Sequence, residues 1–225
     1  MGAYDGLRNY LPKPLTEYAK DFGYHEANIL ILEGKITDLQ NRYFPVYQNL
    51  LSCRHHSDRR SPLTYGQDLV ASWIFEDFFL KEMQNDMFTI SLSGADRTRT
   101  ILPNQRTSTS SDYRIRTQKG TEISMELVND YTGFWCRNHK LHLRDNKYLQ
   151  LKKNQSLLLA ISLSGQAQKY TLFDFRQTIP ATKILSHRPY GGKSAYELSV
   201  TNDSLHDFSF TNIRETILHT LEIKN

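Results

Sequence analysis

The sequence is poor in cysteine: two in 225 residues, Cys53 and Cys136, far apart and in no CxxC pair. That scarcity argues against a disulfide framework and against a structural zinc site, and it suits a reducing cytosol. His55 and His56 adjoin Cys53, but one cysteine with two neighbouring histidines is a poor zinc ligand set. Long apolar runs are missing too. None approaches the roughly eighteen residues of a membrane span, and residues 1–14 carry Asp5, Arg8 and Lys13 in place of the apolar segment of a signal peptide. The expectation is a cytoplasmic protein with no membrane attachment. Several catalytic motifs are also absent: GxSxG, HExxH and the phosphate loop GxxxxGK[ST]. Gly191-Gly192-Lys193 therefore reads as a hairpin turn. No internal repeat is present, and the longest low-complexity tract is Thr-Ser-Thr-Ser-Ser at 107–111.

What is there supports a folded core. The chain is 39% hydrophobic, 12% aromatic and 23% charged, outside the range of disordered sequences. The length suits one large domain or one domain with an added lobe. We divide it into a helical N-terminal lobe at 1–62, a core at 63–165 and C-terminal strands with a closing helix at 166–225.

Net charge is +4, but its distribution says more than its sum. From 97 to 119 six basic residues (Arg97, Arg99, Arg106, Arg114, Arg116, Lys119) face one acid, Asp112. From 137 to 153 another six (Arg137, Lys140, Arg144, Lys147, Lys152, Lys153) face Asp145. Two basic stretches of this kind suit a polyanionic partner, although solvated surface faces produce the same pattern.

Periodicity supplies the elements. The first sixty residues read as helical, with Ile36, Leu39, Tyr43, Tyr47 and Leu50 at helical spacing and a kink at Pro45. Thr64 and Gln67 form a capping-box pattern ahead of a stripe of Leu69, Trp73, Leu80 and Met83, on which Glu76 also lies. Strands are expected at 88–92, 112–116, 122–129, 157–163, 169–175 and 194–200, a loop at 131–140, a helix at 145–153 and an amphipathic helix at the end. The fold class is therefore α/β or α+β, a mixed central sheet flanked by helices. The apolar run 157–163 fits a central strand buried on both faces.

The hairpin carries the chemistry. A turn centred on Lys119 places Asp112 opposite Glu126, each seven residues from the centre. Directly opposed side chains stand roughly 4.5–5.5 Å apart at Cβ, so two carboxylates there repel unless compensated. A hard divalent cation supplies that compensation, because magnesium takes oxygen ligands and commonly uses one or two carboxylates plus phosphate oxygens. A slip of one residue in the turn would spoil the register. Glu122, Ser124, Glu126, Val128 and Asp130 share one strand face, and Ile123, Met125 and Leu127 the other.

Ser111-Asp112-Tyr113, a hairpin, Glu126 in an apolar strand and then a lysine-bearing helix resemble the PD-(D/E)xK nuclease superfamily, and within it the type II restriction endonucleases. The resemblance spans about residues 65–165. It implies a restriction-endonuclease-like fold, one or two Mg2+ ions held by Asp112, Glu126 and the Leu127 carbonyl, and assistance from Glu76. It further implies cleavage of double-stranded DNA at a short sequence by a homodimer, for which the N-terminal helices are the expected surface. Two departures stand out. Ser111 replaces the usual proline, and Val128 stands where the family usually has lysine. Some members carry that lysine on the neighbouring helix, and Lys147 is the best-placed substitute here, with Lys140 second. Contacts to DNA are expected from Arg97, Arg99, Asn104, Gln105, Arg106, Arg114, Arg137, Lys140, Arg144 and Asn146. Asp96 to Arg99 either clamp phosphates or pair internally, and Tyr131, Phe134 and Trp135 either stack on bases or cover the core. His187, Arg188 and Tyr190 form a late loop that either reaches DNA or is plain surface. Two alternatives stay open: a structure-specific, homing or repair nuclease of the same fold, and a non-catalytic DNA-binding module with a decayed site.

Overall fold

The computed structural model describes residues 2–53, 59–103, 111–164 and 168–222, without the side chains of Ala95 and Asp96. Asn104, Gln105, Arg106, His55 and His56 lie outside the described residues. The chain forms two compact units, one of residues 1–81 with 95–108 and one of 82–94 with 109–225.

The first unit is helical: α1 Ala3–Tyr10, α2 Leu15–Asp21, α3 Glu26–Glu33, α4 Ile36–Arg42, α5 Phe44–Ser52 and α6 Pro62–Glu82, whose last residue belongs to the second unit. Two expectations change here. No single kinked helix spans 36–50; α4 ends at Arg42, Tyr43 leaves helical geometry at φ −135°, and Pro45 sits in the first turn of α5, where its missing N–H costs nothing. The cap of α6 is Ser61, not Thr64. Ser61 Oγ accepts the Thr64 N–H at 3.1 Å, and Pro62 begins the helix. The stripe on α6 is also wider than expected, because Val70, Ala71, Ile74, Phe75 and Phe79 are buried along with Trp73. Placing α6 with the N-terminal helices has a polar cause. Tyr24 Oη donates to Asp77 at 2.5 Å, Asn28 donates to the Arg99 carbonyl at 2.9 Å, and Asp68 accepts from the Tyr4 N–H and from Arg60.

The second unit is built on a mixed six-stranded sheet flanked by helices. Its strands are β1 Phe88–Leu92, β2 Tyr113–Thr117, β3 Glu122–Asp130, β5 Leu157–Ser162, β6 Lys169–Asp174 and β9 His206–Asp207, in the order β1-β2-β3-β5-β6-β9. Only the β3–β5 pair is parallel. Parallel neighbours need a crossover, and this one contains α7 Phe134–Asn138, β4 Lys140–Arg144 and α8 Asp145–Asn154. The expected loop at 131–140 is thus partly helix. Its chain reversal uses left-handed residues at Gly133 and His139, and Asp130 secures the entry by accepting from Thr132 and from the Trp135 N–H.

A second sheet, β4-β8-β7, joins β4 to β7 Ala181–His187 and β8 Lys193–Ser199. It turns its apolar side chains toward α8 and the six-stranded sheet: Leu141, Leu143, Leu198 and Val200 pack with Tyr148, Leu151, Leu158, Ala160 and Phe173, and Val128 joins them. α9, Phe210–Glu222, lies on the opposite face along β6, burying Ile213, Ile217 and Leu221 and joining Thr216 to Tyr170. β5 is buried along its whole length, as an apolar run between two covered faces requires. Among the described residues no helix is long and apolar enough to cross a membrane.

Candidate metal and phosphate site

Register decides what β2 and β3 can do. Tyr113 faces Met125 and Ile115 faces Ile123, so the next position outward sets Asp112 against Glu126. The hairpin loop has three residues, with the Gly120 N–H bonded to the Thr117 carbonyl at 3.0 Å. Gly120 has φ +83°, a conformation that favours glycine in loops of this length.

Glu126 is 5% exposed, although neighbours on its face are wetter. The Leu127 N–H donates to Asp112 Oδ2 at 2.9 Å, which ties the two sides of the hairpin just beyond the last strand pair. In an extended strand the N–H and C=O of one residue point to the same side, so the Leu127 carbonyl also faces Asp112. From α8, Lys147 Nζ makes an ion pair with Glu126 Oε1. Burial, together with the Asp112 carboxylate and a hydrogen bond to it, pushes Glu126 up to about 8, and Lys147 works in the opposite direction. Two carboxyl groups in a dry place share a proton, or need a cation.

The site lies where the sheet face changes character. On the β5 side, Val128, Leu158 and Ala160 are sealed under α8 and the second sheet. On the β1 side, Thr89, Ser91, Arg114, Arg116 and Glu122 are exposed. Val128, at the position where a lysine was expected from the resemblance, is therefore part of an apolar core, and the lysine that reaches Glu126 comes from the neighbouring helix.

The structure brings together Asp112, Glu126, Leu127 and Lys147. Glu76 is held by Arg99, Nη1 to Oε2 at 2.6 Å, and Arg99 also bonds Asp77 at 2.6 Å while only 10% of its side chain is exposed. Arg99 thus pairs internally instead of offering itself to a phosphate, because Glu76 and Asp77 would otherwise be uncompensated acids in a half-buried place. Arg97, in a 3-10 turn Ala95–Thr98, is exposed. Arg114 pairs with Glu122 at 3.1 Å, Arg137 donates to the Thr132 carbonyl, Lys140 pairs with Glu197 at 3.0 Å, and Arg144 stands over the Tyr190 ring. Asn146 is exposed at the start of α8 and accepts the Lys147 N–H. Trp135 is buried in the core, whereas Phe134 is 45% exposed.

A second polar cluster went unread in the sequence. His142 Nε2 lies 3.1 Å from Glu197 and its Nδ1 2.9 Å from His187 Nε2, while Tyr190 Oη donates to the His142 carbonyl. His187 ends β7 and does not belong to a loop. The signal for β4 was the alternation Lys-Leu-His-Leu-Arg at 140–144.

Among the described residues no group of three or more His, Cys, Asp or Glu side chains is arranged to hold a metal. Two carboxylates and one carbonyl still fit magnesium, which keeps several waters and takes the rest of its shell from phosphate oxygens. No protein-family model matches the chain, and no curated protein matches it.

Proposed function

We propose that this protein is a magnesium-dependent endonuclease of double-stranded DNA, of the restriction-endonuclease type, acting as a cytoplasmic homodimer. The observation that carries this reading is the pairing of buried Glu126 with half-buried Asp112, with Lys147 against it. Bound by Asp112, Glu126 and the Leu127 carbonyl, Mg2+ supplies a Lewis acid for the scissile phosphate and a water of lowered pKa. Asp112 and Glu126 would hold the ion from adjacent strands of the hairpin. Lys147, paired with Glu126, would set its charge beside the reacting phosphate and offset the charge that develops in the transition state. The water oxygen bonds to phosphorus and gives up a proton to solvent, one ester P–O bond breaks, and the departing oxygen takes a proton from solvent, so that one water is divided between the two products.

α5 offers a surface for a second copy, since Phe44 and Leu51 are about half exposed and lie two turns apart on one face of the helix. Linearisation of a supercoiled plasmid with Mg2+, abolished by EDTA and by Glu126→Ala, tests the reading. Full cleavage by Glu126→Ala overturns the site. DNA binding without cleavage of any substrate would favour a non-catalytic module, and cleavage confined to branched DNA a structure-specific nuclease.

A further inference from the structure

We infer that the open face of β1, β2 and the first half of β3 is a track for the phosphate backbone of the nucleic acid, leading outward from the carboxylate pair. The inference rests on the nuclease reading and goes beyond it, because it assigns Arg116, Thr89, Ser91 and Ser124 a role and gives the bound strand a direction.

The face is sharply divided from its reverse. Phe88, Ile90, Tyr113, Ile115, Ile123 and Met125 are buried on one side, while Thr89, Ser91, Arg114, Arg116 and Glu122 are exposed on the other. Register sets Ser91 beside Arg114, Arg114 beside Ser124, Thr89 beside Arg116 and Arg116 beside Glu122. Asp112, Arg114 and Arg116 alternate along one chain, and two residues of strand advance about 6.7 Å. That step is of the same order as the distance from one phosphate to the next along a nucleic-acid strand. A phosphate held at the carboxylate pair thus has its neighbours delivered to Arg114 and then Arg116. The Ser91 and Ser124 hydroxyls on the two flanks of Arg114 add donors of the kind that position a backbone without reading bases, and Thr89 Oγ1 braces β1 on β2 by donating to the Arg116 carbonyl at 3.4 Å.

Charge complementarity names the occupant. Two guanidinium groups, each able to fork onto phosphate oxygens, outnumber Glu122, the one acid on this stretch of the face beyond the carboxylate pair. Arg114 already pairs with that acid at 3.1 Å, with 55% of the Arg114 side chain exposed. An exposed pair of this kind is weak, so a phosphate can take Arg114 from Glu122. An ordinary solvated sheet face would share the polarity, but its Glu122 would have no influence on nucleic-acid affinity beyond its charge.

The test is binding of a fluorescein-labelled mixed-sequence duplex by the full chain, followed by anisotropy across a salt series. Calcium replaces magnesium, since it also takes oxygen ligands but in a looser shell. Loss of two phosphate contacts in Arg114→Gln/Arg116→Gln is expected to reduce the slope of log K against log salt by about 1.8. Glu122→Gln is expected to tighten binding, and by more than Asp203→Asn, an equal charge change at an exposed position outside this face. An unchanged slope in the double variant, or equal effects of Glu122→Gln and Asp203→Asn, overturns the track and leaves the nuclease reading intact. A wild-type protein that binds no duplex at low salt, or binds it with no salt dependence, overturns both. All the substituted side chains are exposed, and melting curves matching the wild type establish that each variant is folded.

Discussion

Lys147 reaches Glu126 from across a crossover: the acid lies on β3, the base on α8, and β5 returns beside β3 after both. The contact joins a half-buried ammonium to a carboxylate that is itself nearly inaccessible to water. Each group therefore depends on the other more than a surface pair would.

For activity, Lys147→Ala is expected to lower the cleavage rate by about 100-fold or more, the usual effect of removing one transition-state donor from a dry site. Duplex affinity in calcium should change much less. Lys147→Arg should restore part of the rate. Single-turnover cleavage of a defined fragment measures this, and equal rates for wild type and Lys147→Ala would remove lysine from the chemistry.

The raised Glu126 predicts how the metal-free protein responds to pH. Its folded-state pKa, about 8, stands above its ordinary value of 4.5. Its protonated form is favoured by folding, so stability is fully present below about pH 4.5 and is lost as pH rises through about 8. In EDTA, melting temperature should fall over that window, by at least the roughly 2–4 °C that one kcal/mol is worth in a chain of this size. Glu126→Gln should flatten the fall. Magnesium should bind more tightly as pH rises, with release of a proton. Melting curves that are flat from pH 5 to 9 in EDTA would contradict the shared-proton account.

Val128→Lys tests whether the expected lysine position is usable. Val128 packs against Leu158, Ala160 and the side chains beneath α8. An ammonium there replaces apolar contacts in a half-buried place, and the substitution should cost about 2 kcal/mol or more. It should not rescue Lys147→Ala. Urea unfolding and the cleavage assay give the two readouts, and a stable, active Val128→Lys/Lys147→Ala protein would show that the face is looser than described.

His187 gives a pH effect of opposite sense. Burial and then His142 hold its imidazole below the usual 6.5, with Glu197 acting the other way. Its contribution to stability is present above pH 6.5 and is lost as pH falls toward the lowered folded value. His187→Phe should shrink the acid dependence seen in urea unfolding between pH 7 and pH 5. An unchanged slope would mean that the imidazole does not titrate differently in the folded chain.

The features most legible in the sequence were those set by a repeating pattern. The 157–163 run, the final helix and the β2–β3 register all follow from local pattern and turn length: β5 from a continuous apolar run, the helix and the hairpin register from one buried face each. α8 was legible for the same reason, through Tyr148 and Leu151. The second sheet was harder. β7 is an edge strand with a bulge, and Leu185 is 80% exposed, so its pattern lacks a clean alternation. The partner of Glu76 was not visible either, since Arg99 is 23 residues away and no local rule couples them. Capping was misread at Thr64 because Ser61-Pro62 and Thr64-Gln67 are both plausible starts, and the choice between them is made by the fold of the first unit.

The three strands of the second sheet have a consequence for biosynthesis. Asp112, Glu126 and Lys147 all leave the ribosome before β8, Lys193–Ser199, which gives β4 its hydrogen-bonding partner and is itself flanked by β7, Ala181–His187. A nascent chain halted short of β8 holds every group of the site, but the helix bearing Lys147 lacks the backing of Tyr196, which stacks on Tyr148 at 3.9 Å. Domains fold as their segments emerge, so the site reaches its final geometry only after β8 has emerged.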